Sequence, residues 1–416
     1  MSTSQRIIVA LDIGTSKITA LVGEVGGARI RVLGLGIEDA TGIRRGTVVD
    51  VAAAAEAIIA AKRNAERSSG FEIGRAYVSV AGKHTGTLNN RGVTALNPSR
   101  GSISLEDVEA ALESARAVPL AHNQEVLHVI PRSFTLDDQE GVRNPLGLSG
   151  YRLEVEAHIV TAASASLRNL EKAVNDAGMG VDRFVLNALA SGEAVLTQSE
   201  RDSGVMVVDV GDGTTDLAVF IDDTVWHTAV IEVGGQHITN DIAHILHLPT
   251  KEAERIKIAD GNSLPDMVDP DRRITIEPYG DTPATQIMAH DLSEIIEARV
   301  DEMFTLVIQE LKRSGYAGLL PAGIVLTGGG SELKNIATSA GQITKLPVRI
   351  AEAEGLAGLT DKLRGPAYAT AIGLLKFGGK TGDDITSPKP RKRGDKRGGT
   401  DIGKALGDFF GGLLPD

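Results

Sequence analysis

The chain has no cysteine among its 416 residues, so disulfide staples and thiolate metal sites are excluded. That absence suits a reducing compartment. Aromatic residues are scarce, with a single Trp, so the core must be built on Ala, Val, Ile and Leu. The opening MSTSQR lacks the apolar stretch of a secretory signal. No apolar run approaches the roughly 18 to 20 residues that cross a bilayer. The expectation is a soluble, cytoplasmic body. Basic charge is also short: 43 Lys and Arg against 55 Asp and Glu leave a net charge of −12. Nucleic acid is therefore not an expected partner. The length predicts two to four subdomains.

What the chain does have is a repeated unit. Val205 to Val210 is a β-branched apolar run that reads as a buried strand, with Asp209 near its end. Gly211, Asp212, Gly213, Thr214, Thr215 and Asp216 follow as a turn, and a second apolar run completes the unit. Glycines let backbone N–H groups approach a ligand, and successive N–H groups make a concave anion site. The two threonine hydroxyls add donors, and Asp209 with Asp216 can hold a metal that neutralises phosphate. Ile7 to Leu11 reads as another buried strand, ended by Asp12, with Gly14, Thr15, Ser16 and Lys17 as its turn and a strand from Ile18 to Val22. One such turn is an ordinary hairpin. Two with matching chemistry point to two similar domains clamping a polyphosphate.

The segments between alternate helix and strand. Residues 6 to 37 read as a three-stranded antiparallel start, Asp50 caps a helix to about Arg67, and Ala76 to Ala81 is a strand. Residues from about 84 to 160 read as a separate α+β module. In it, Ser104 and Asp107 box a helix to Ala117, Glu125–Ile130 and Phe134–Asp137 form two strands, and Tyr151–Ala162 forms a long one. His122, His128 and His158 lack ligand spacing and read as satisfied or exposed. Ser164 is expected to cap the next helix. Ala188 to Gln198, rich in small residues, is expected to be a helix that crosses between the halves. Thr224 to Val233 reads as a strand ending at Gly234 and Gly235. Thr250–Ala259 and Asp291–Ser314 read as helices, the second with a long apolar stripe. Ala322–Leu326 is a strand leading to Gly328, Gly329 and Gly330, with a helix expected directly after Ser331. Pro366 opens a last domain helix to about Phe377.

After Gly378 the composition turns to Gly, Pro and charge. This predicts a disordered linker over 379–400 carrying Lys389, Arg391, Lys392, Arg393, Lys396 and Arg397. Beyond it, Ile402, Leu406, Phe409, Phe410, Leu413 and Leu414 recur at helical spacing. Such a stripe needs a membrane surface or a partner groove.

The three glycine turns, in this order, resemble those of the actin-like ATPase superfamily. IVALDIGTSKI, GGQHITNDIA and AERIKIADG, with the module placed directly after AYVSVAG, resemble the FtsA cell-division family within it, over about residues 6–378. The resemblance implies an α/β fold of duplicated actin-like (ribonuclease H-like) domains around a nucleotide cleft. An α+β insertion is implied in the first half and a smaller insertion in the second. Residues 1–83, 162–200 and 363–378 would form the first subdomain, with 84–161 inserted. Residues 201–235 and 313–362 would form the second, with 236–312 inserted. The tail would divide into the 379–400 linker and a 401–416 membrane-targeting helix.

The resemblance also implies ATP with Mg2+. Asp12 and Asp209 would act on the metal, and Glu254 and Lys257 would contact the nucleoside beside Gly234 and Gly235. Gly328 to Gly330 would form the adenosine turn. It implies actin-like filaments, binding of the FtsZ C-terminal peptide by the second insertion, other division proteins as partners, and a place on the cytoplasmic side of the cell membrane at the division site. The segment LASGEAVL lacks the acidic residue that positions water in chaperones and MreB, with Glu193 out of register. At most weak ATPase activity is therefore expected, with no catalytic residue assigned. A PilM-like pilus-assembly ATPase and a metabolic phosphotransferase are the alternatives on the same fold.

Overall fold

Two sheets repeat one strand order. The computed structural model describes residues 6–25, 29–97, 101–280 and 283–381. In the first half, Arg6–Ile13 pairs antiparallel with Lys17–Val25, which pairs antiparallel with Ile30–Asp39. On its other side Arg6–Ile13 runs parallel to Arg75–Val80, and that strand runs parallel to Gly180–Leu186. In the second half, Val205–Val210 pairs antiparallel with Thr215–Ile221, and that with Thr224–Ile231. Its other neighbour is the parallel Ile324–Thr327, followed by the parallel Val348–Ile350. The first sheet differs only in one added edge strand, Leu356–Gly358, contributed from late in the chain. Both central strands are apolar because both of their faces are covered: every residue from Ile7 to Ile13 and from Val205 to Val210 is buried.

The halves exchange helices. Asn187–Val195 follows the first sheet but lies on the second, where a Cβ on Gly192 would stand 2.9 Å from the Phe220 ring. Ala369–Thr381 follows the second sheet but lies on the first, with Gly378 against Ile8 and Tyr77. The two helices cross at Gly373, where a Cβ would stand only 1.7 Å from the Ala190 carbonyl oxygen. The small residues thus set a backbone-to-backbone crossing between the halves, as the composition of the first helix predicts.

Two further layers are added. Thr85–Ala95, Arg152–Ala163, Gln124–Leu136 and Gln139–Val142 form a four-stranded sheet with the helix Leu105–Arg116 packed on it, around a core of its own that includes Phe134, Leu112 and Leu153. The second half carries the helices Gly235–Ile245, Thr250–Asp260 and Ala289–Ser314 with a small hairpin, Arg273–Ile276 and Thr285–Met288. These share one core with their sheet: Leu292, Ile296 and Phe304 belong to the same cluster as Met206 and Val208.

Several local expectations are corrected. The two strands expected around residues 125–137 are one, Gln124–Leu136: Pro131 pairs with Ala157, and a register shift between Ala157 and Glu156 leaves Arg132, beside the proline, as the extra residue. Ser164 is the first helical residue, and the cap position is Ala163 with no side-chain bond. Gly329–Glu332 is a short 3-10 turn, and the α-helix starts later, at Ile336. The last helix opens as a 3-10 turn at Pro366–Tyr368 and runs to Thr381 instead of stopping near Phe377. Gly379 packs on Val25 and its carbonyl accepts from Arg6, so the first three residues assigned to the linker are helical. His122 is exposed, whereas His128 and His158 are buried and hydrogen-bonded. The basic run and the membrane-helix residues Ile402, Leu406, Phe409, Phe410, Leu413 and Leu414 lie outside the described residues.

Candidate functional site

The two sheets bring the paired turns face to face. Each turn is closed the same way: Gly14 N–H donates to Lys17 O at 3.0 Å, and Gly211 N–H donates to Thr214 O at 2.9 Å. The strand registers match as well, with Asp12 opposite Thr19 and Asp209 opposite Asp216. The turns touch at Thr15 and Gly213, where a Cβ on Gly213 would stand 2.6 Å from Thr15 Oγ1 and 2.9 Å from Arg45 Cα. Arg45 and Gly46 form the tip of a hairpin, Ile43–Arg44 with Thr47–Val48, and Gly46 N–H donates to Thr15 Oγ1 at 3.1 Å. That tip was not foreseen. Nothing local in IRRGTV marks it, because it reaches the turns only through the fold.

Negative charge is concentrated beneath the turns. Asp12, Asp209 and Asp216 are all buried. Burial, with Asp209 nearby, raises Asp12 to about 6 against favourable contacts from Ser79 and Lys17. Burial also raises Asp209, and raises Asp216 well above the usual carboxylate range, aided by the charges of Asp209 and Asp12. Lys17 is the counter-charge; burial lowers it while Asp12, Glu332 and Asp209 raise it. Its ammonium sits 3.9 Å from the centre of the Tyr368 ring. Asp12 and Asp209 each have a hydroxyl partner that sequence reasoning missed. Ser79 bonds Asp12 and accepts from Ile13 N–H at 2.8 Å. Thr370 Oγ1 donates to Asp209 Oδ2 at 2.8 Å, and Ser191 also favours the charged form.

These residues fit a hydrated divalent cation. Asp216 Oδ1 and Thr19 Oγ1, at matching positions in the two halves, are buried without a hydrogen-bond partner. Orphaned buried acceptors of this kind call for a ligand, water or ion. A cation that keeps its waters, as Mg2+ does, would reach these carboxylates through them. The hydroxyls of Thr214 and Thr215, expected as ligand donors, are committed elsewhere. Thr214 donates to Asp216 Oδ2 at 2.9 Å and Thr215 to Val233 O at 2.7 Å. Ser16 is exposed at the rim of the first turn.

The remaining predicted residues line one side. Gly211 O and Asp212 O accept from Gly235 and Gln236 N–H at 2.9 and 2.8 Å, so the glycine pair packs on the second turn. Lys257 pairs with Glu254 at 2.7 Å and donates to Thr239 Oγ1 at 2.9 Å, beside Gly235. In the third turn, Gly328 has a φ of +81° and lies against Asp209 Oδ1; Gly330 lies against Val210. Gly329 has nothing nearer than Ala367, at 3.7 Å, and is the one with room for a ligand. Glu193 is tied to Arg201 at 3.0 Å and Lys380 at 2.5 Å, while the neighbouring Ser191 is the residue beside Asp209.

Two like sheets with facing glycine turns, buried aspartates and crossed helices define a protein of the actin-like fold. Solved structures agree on the fold. A PilM–PilN type IV pilus biogenesis complex matches with TM-score 0.64 at 18% identity, covering 89% of this chain and 98% of that one. MreB5 of Spiroplasma citri bound to ADP matches with TM-score 0.55 at 15% identity, covering 89% and 96%. The family model for "Cell division protein FtsA" matches residues 206–373, and "SHS2 domain inserted in FTSA" matches 82–161. Cell division protein FtsA of Pseudomonas aeruginosa is 42% identical over 90% of each chain. That of Neisseria meningitidis serogroup B is 38% identical over 96% of each, and that of Escherichia coli K12 36% over 91% of each. The chain belongs to the FtsA family of cell division proteins.

Proposed function

We propose that this chain binds ATP with Mg2+ in the cleft between its halves, assembles into actin-like filaments, and tethers FtsZ to the cytoplasmic face of the cell membrane at the division site, where it helps recruit later division proteins. The observation that carries the nucleotide reading is the apposition of two equivalent turns over buried Asp12 and Asp209. The ADP bound by MreB5 on a similar fold supports it. The cation would be held by Asp12 and Asp209 through water and would neutralise phosphate charge. Backbone N–H groups of the turns and Lys17 would orient the phosphates, and Glu254, Lys257 and the open face of Gly329 would receive the nucleoside. Turnover is slow in this reading, because Glu193 is held in ion pairs and Ser191 beside Asp209 is no base for a water.

The membrane role rests on residues 401–416. Burying a large apolar side chain is worth roughly 1.5 to 3 kcal/mol when complete. Gly403, Gly407, Gly411 and Gly412 oppose the helix by about 1 kcal/mol each. The basic run at 389–397 adds about 1 kcal/mol per charge near anionic lipid. The test is flotation with anionic liposomes: the full chain should float and recruit an FtsZ C-terminal peptide. Removal of 401–416 should release it with nucleotide binding intact, and substitution of exposed residues of the 236–312 insertion, with Glu254, Lys257 and the core shared with the sheet left in place, should end peptide binding. A truncated chain that still floats contradicts the anchor.

A further inference from the structure

We propose that Thr370 is a positioning residue that aims Asp209 at the nucleotide's cation and thereby ties that cation to the crossing between the two halves. This rests on the nucleotide reading above. The two oxygens of Asp209 are held by different parts of the chain. The backbone of the third turn closes over Oδ1: a Cβ on Gly328 would stand 2.3 Å from it, and Gly328 N–H is fixed on Pro366 O at 3.1 Å. Oδ2 accepts from Thr370 at 2.8 Å in a buried contact 161 residues apart in sequence. The terminal torsion of an aspartate is soft, so contacts on both oxygens are what fix the carboxylate plane. Thr370 is β-branched and sits in the first turn of the last helix, so the donor is itself restricted.

The placement of Thr370 links this contact to the crossing. Gly373, three residues on and on the same helical face, makes the closest approach to Ala190 of the opposing helix. Ser191, next to Ala190, is the second hydroxyl beside Asp209 and also reaches Asn187 O at 3.0 Å. The crossing, the Thr370 donor and the neighbouring Ser191 hydroxyl therefore belong to the same two helices. Farther along, Lys376 donates to Ala194 O at 3.0 Å and Lys380 pairs with Glu193, so the helices are fastened beyond the crossing as well. Asp12 is held differently, by Ser79 from a strand of its own sheet. Asp209 is thus the carboxylate through which a bound cation acts on the angle between the halves.

The test uses the full chain and a fluorescent ATP analogue titrated with Mg2+ and, separately, in EDTA. Thr370→Val keeps the shape and removes the donor. It should leave binding in EDTA unchanged and reduce the enhancement by Mg2+ about tenfold or more, as expected for losing a hydrogen bond to a charged group. Thr370→Ser restores the donor and should recover most of the enhancement. The midpoint of Mg2+-induced thermal stabilisation without nucleotide should shift to higher Mg2+ in Thr370→Val and return in Thr370→Ser. If Thr370→Val does not fold, Thr370→Ala carries the same comparison. An unchanged Mg2+ enhancement overturns the proposal, as does an equal loss with and without Mg2+ that Thr370→Ser fails to rescue. Wild-type protein that binds no nucleotide at all contradicts the nucleotide reading and this proposal together.

Discussion

Thr15 rests on Gly213, and the two halves of the molecule meet at that contact. A Cβ at Gly213 would also strike Arg45 Cα at 2.9 Å, and backbone cannot swing aside as a side chain does. Gly213→Ala is therefore expected to push the turns apart without disturbing either sheet. Affinity for a nucleotide analogue should fall about tenfold or more, since a shift of about 1 Å in a positioned site has effects of that order. Equilibrium titration checks this, with circular dichroism to confirm the fold.

The crossing at Gly373 and Ala190 predicts a stability effect. With 1.7 Å available, Gly373→Ala must separate the helices. The cost should be about 1 to 3 kcal/mol or more, the usual range for overpacking a close contact. Urea unfolding of the variant against wild type measures it, and an unchanged midpoint would mean the crossing is loose.

His128 and His158 predict acid sensitivity. Burial holds both at about 3, with the Arg183 charge adding to His128 and those of His227, Arg132 and His128 adding to His158. Both are neutral in the folded state and take a proton on unfolding below about pH 6.5. Their contribution is fully present above that pH and lost as pH falls toward 3. The slope is about 1.4 kcal/mol per pH unit per histidine. His158 bonds Asn89 at 2.8 Å in the inserted sheet and Thr228 at 2.9 Å in the second half, so the loss falls on the joint between them. His158→Gln should flatten the stability profile between pH 6 and 5 by one such slope, read from denaturant midpoints across that range.

Asp12 has the opposite sign. Its folded pKa is raised to about 6, so the folded state prefers the proton and the charge costs stability above that pH. The shift corresponds to about 3 kcal/mol at most. Asp12→Asn should therefore raise the melting temperature of metal-free protein at pH 7.5 while removing Mg2+-dependent nucleotide binding. A site that is strained when empty behaves this way.

The repeated turns were legible because each is a short apolar run, an aspartate and glycines, a pattern local in sequence. The crossing at Ala190 was legible from a run of small residues. Ser79, Thr370 and Ser191 were not, since a single hydroxyl in an apolar segment looks the same whether or not a carboxylate waits across the cleft. The Gln124–Leu136 strand reads as two in sequence, and only its pairing shows that it continues through Pro131 opposite Ala157, with Arg132 as the extra residue of a register shift. Thr214 and Thr215 were given to a ligand on residue type, while the fold uses both hydroxyls to brace Asp216 and Val233.

The central claim is that the facing turns hold a nucleotide through a cation set by Asp12 and Asp209. The most direct measurement is the affinity of a fluorescent ATP analogue for wild type and Asp209→Ala, each with Mg2+ and with EDTA. The account predicts tight, Mg2+-dependent binding by wild type and a loss of about a hundredfold in the variant, whose fold is retained. Equal affinity of the two proteins in Mg2+ would contradict it.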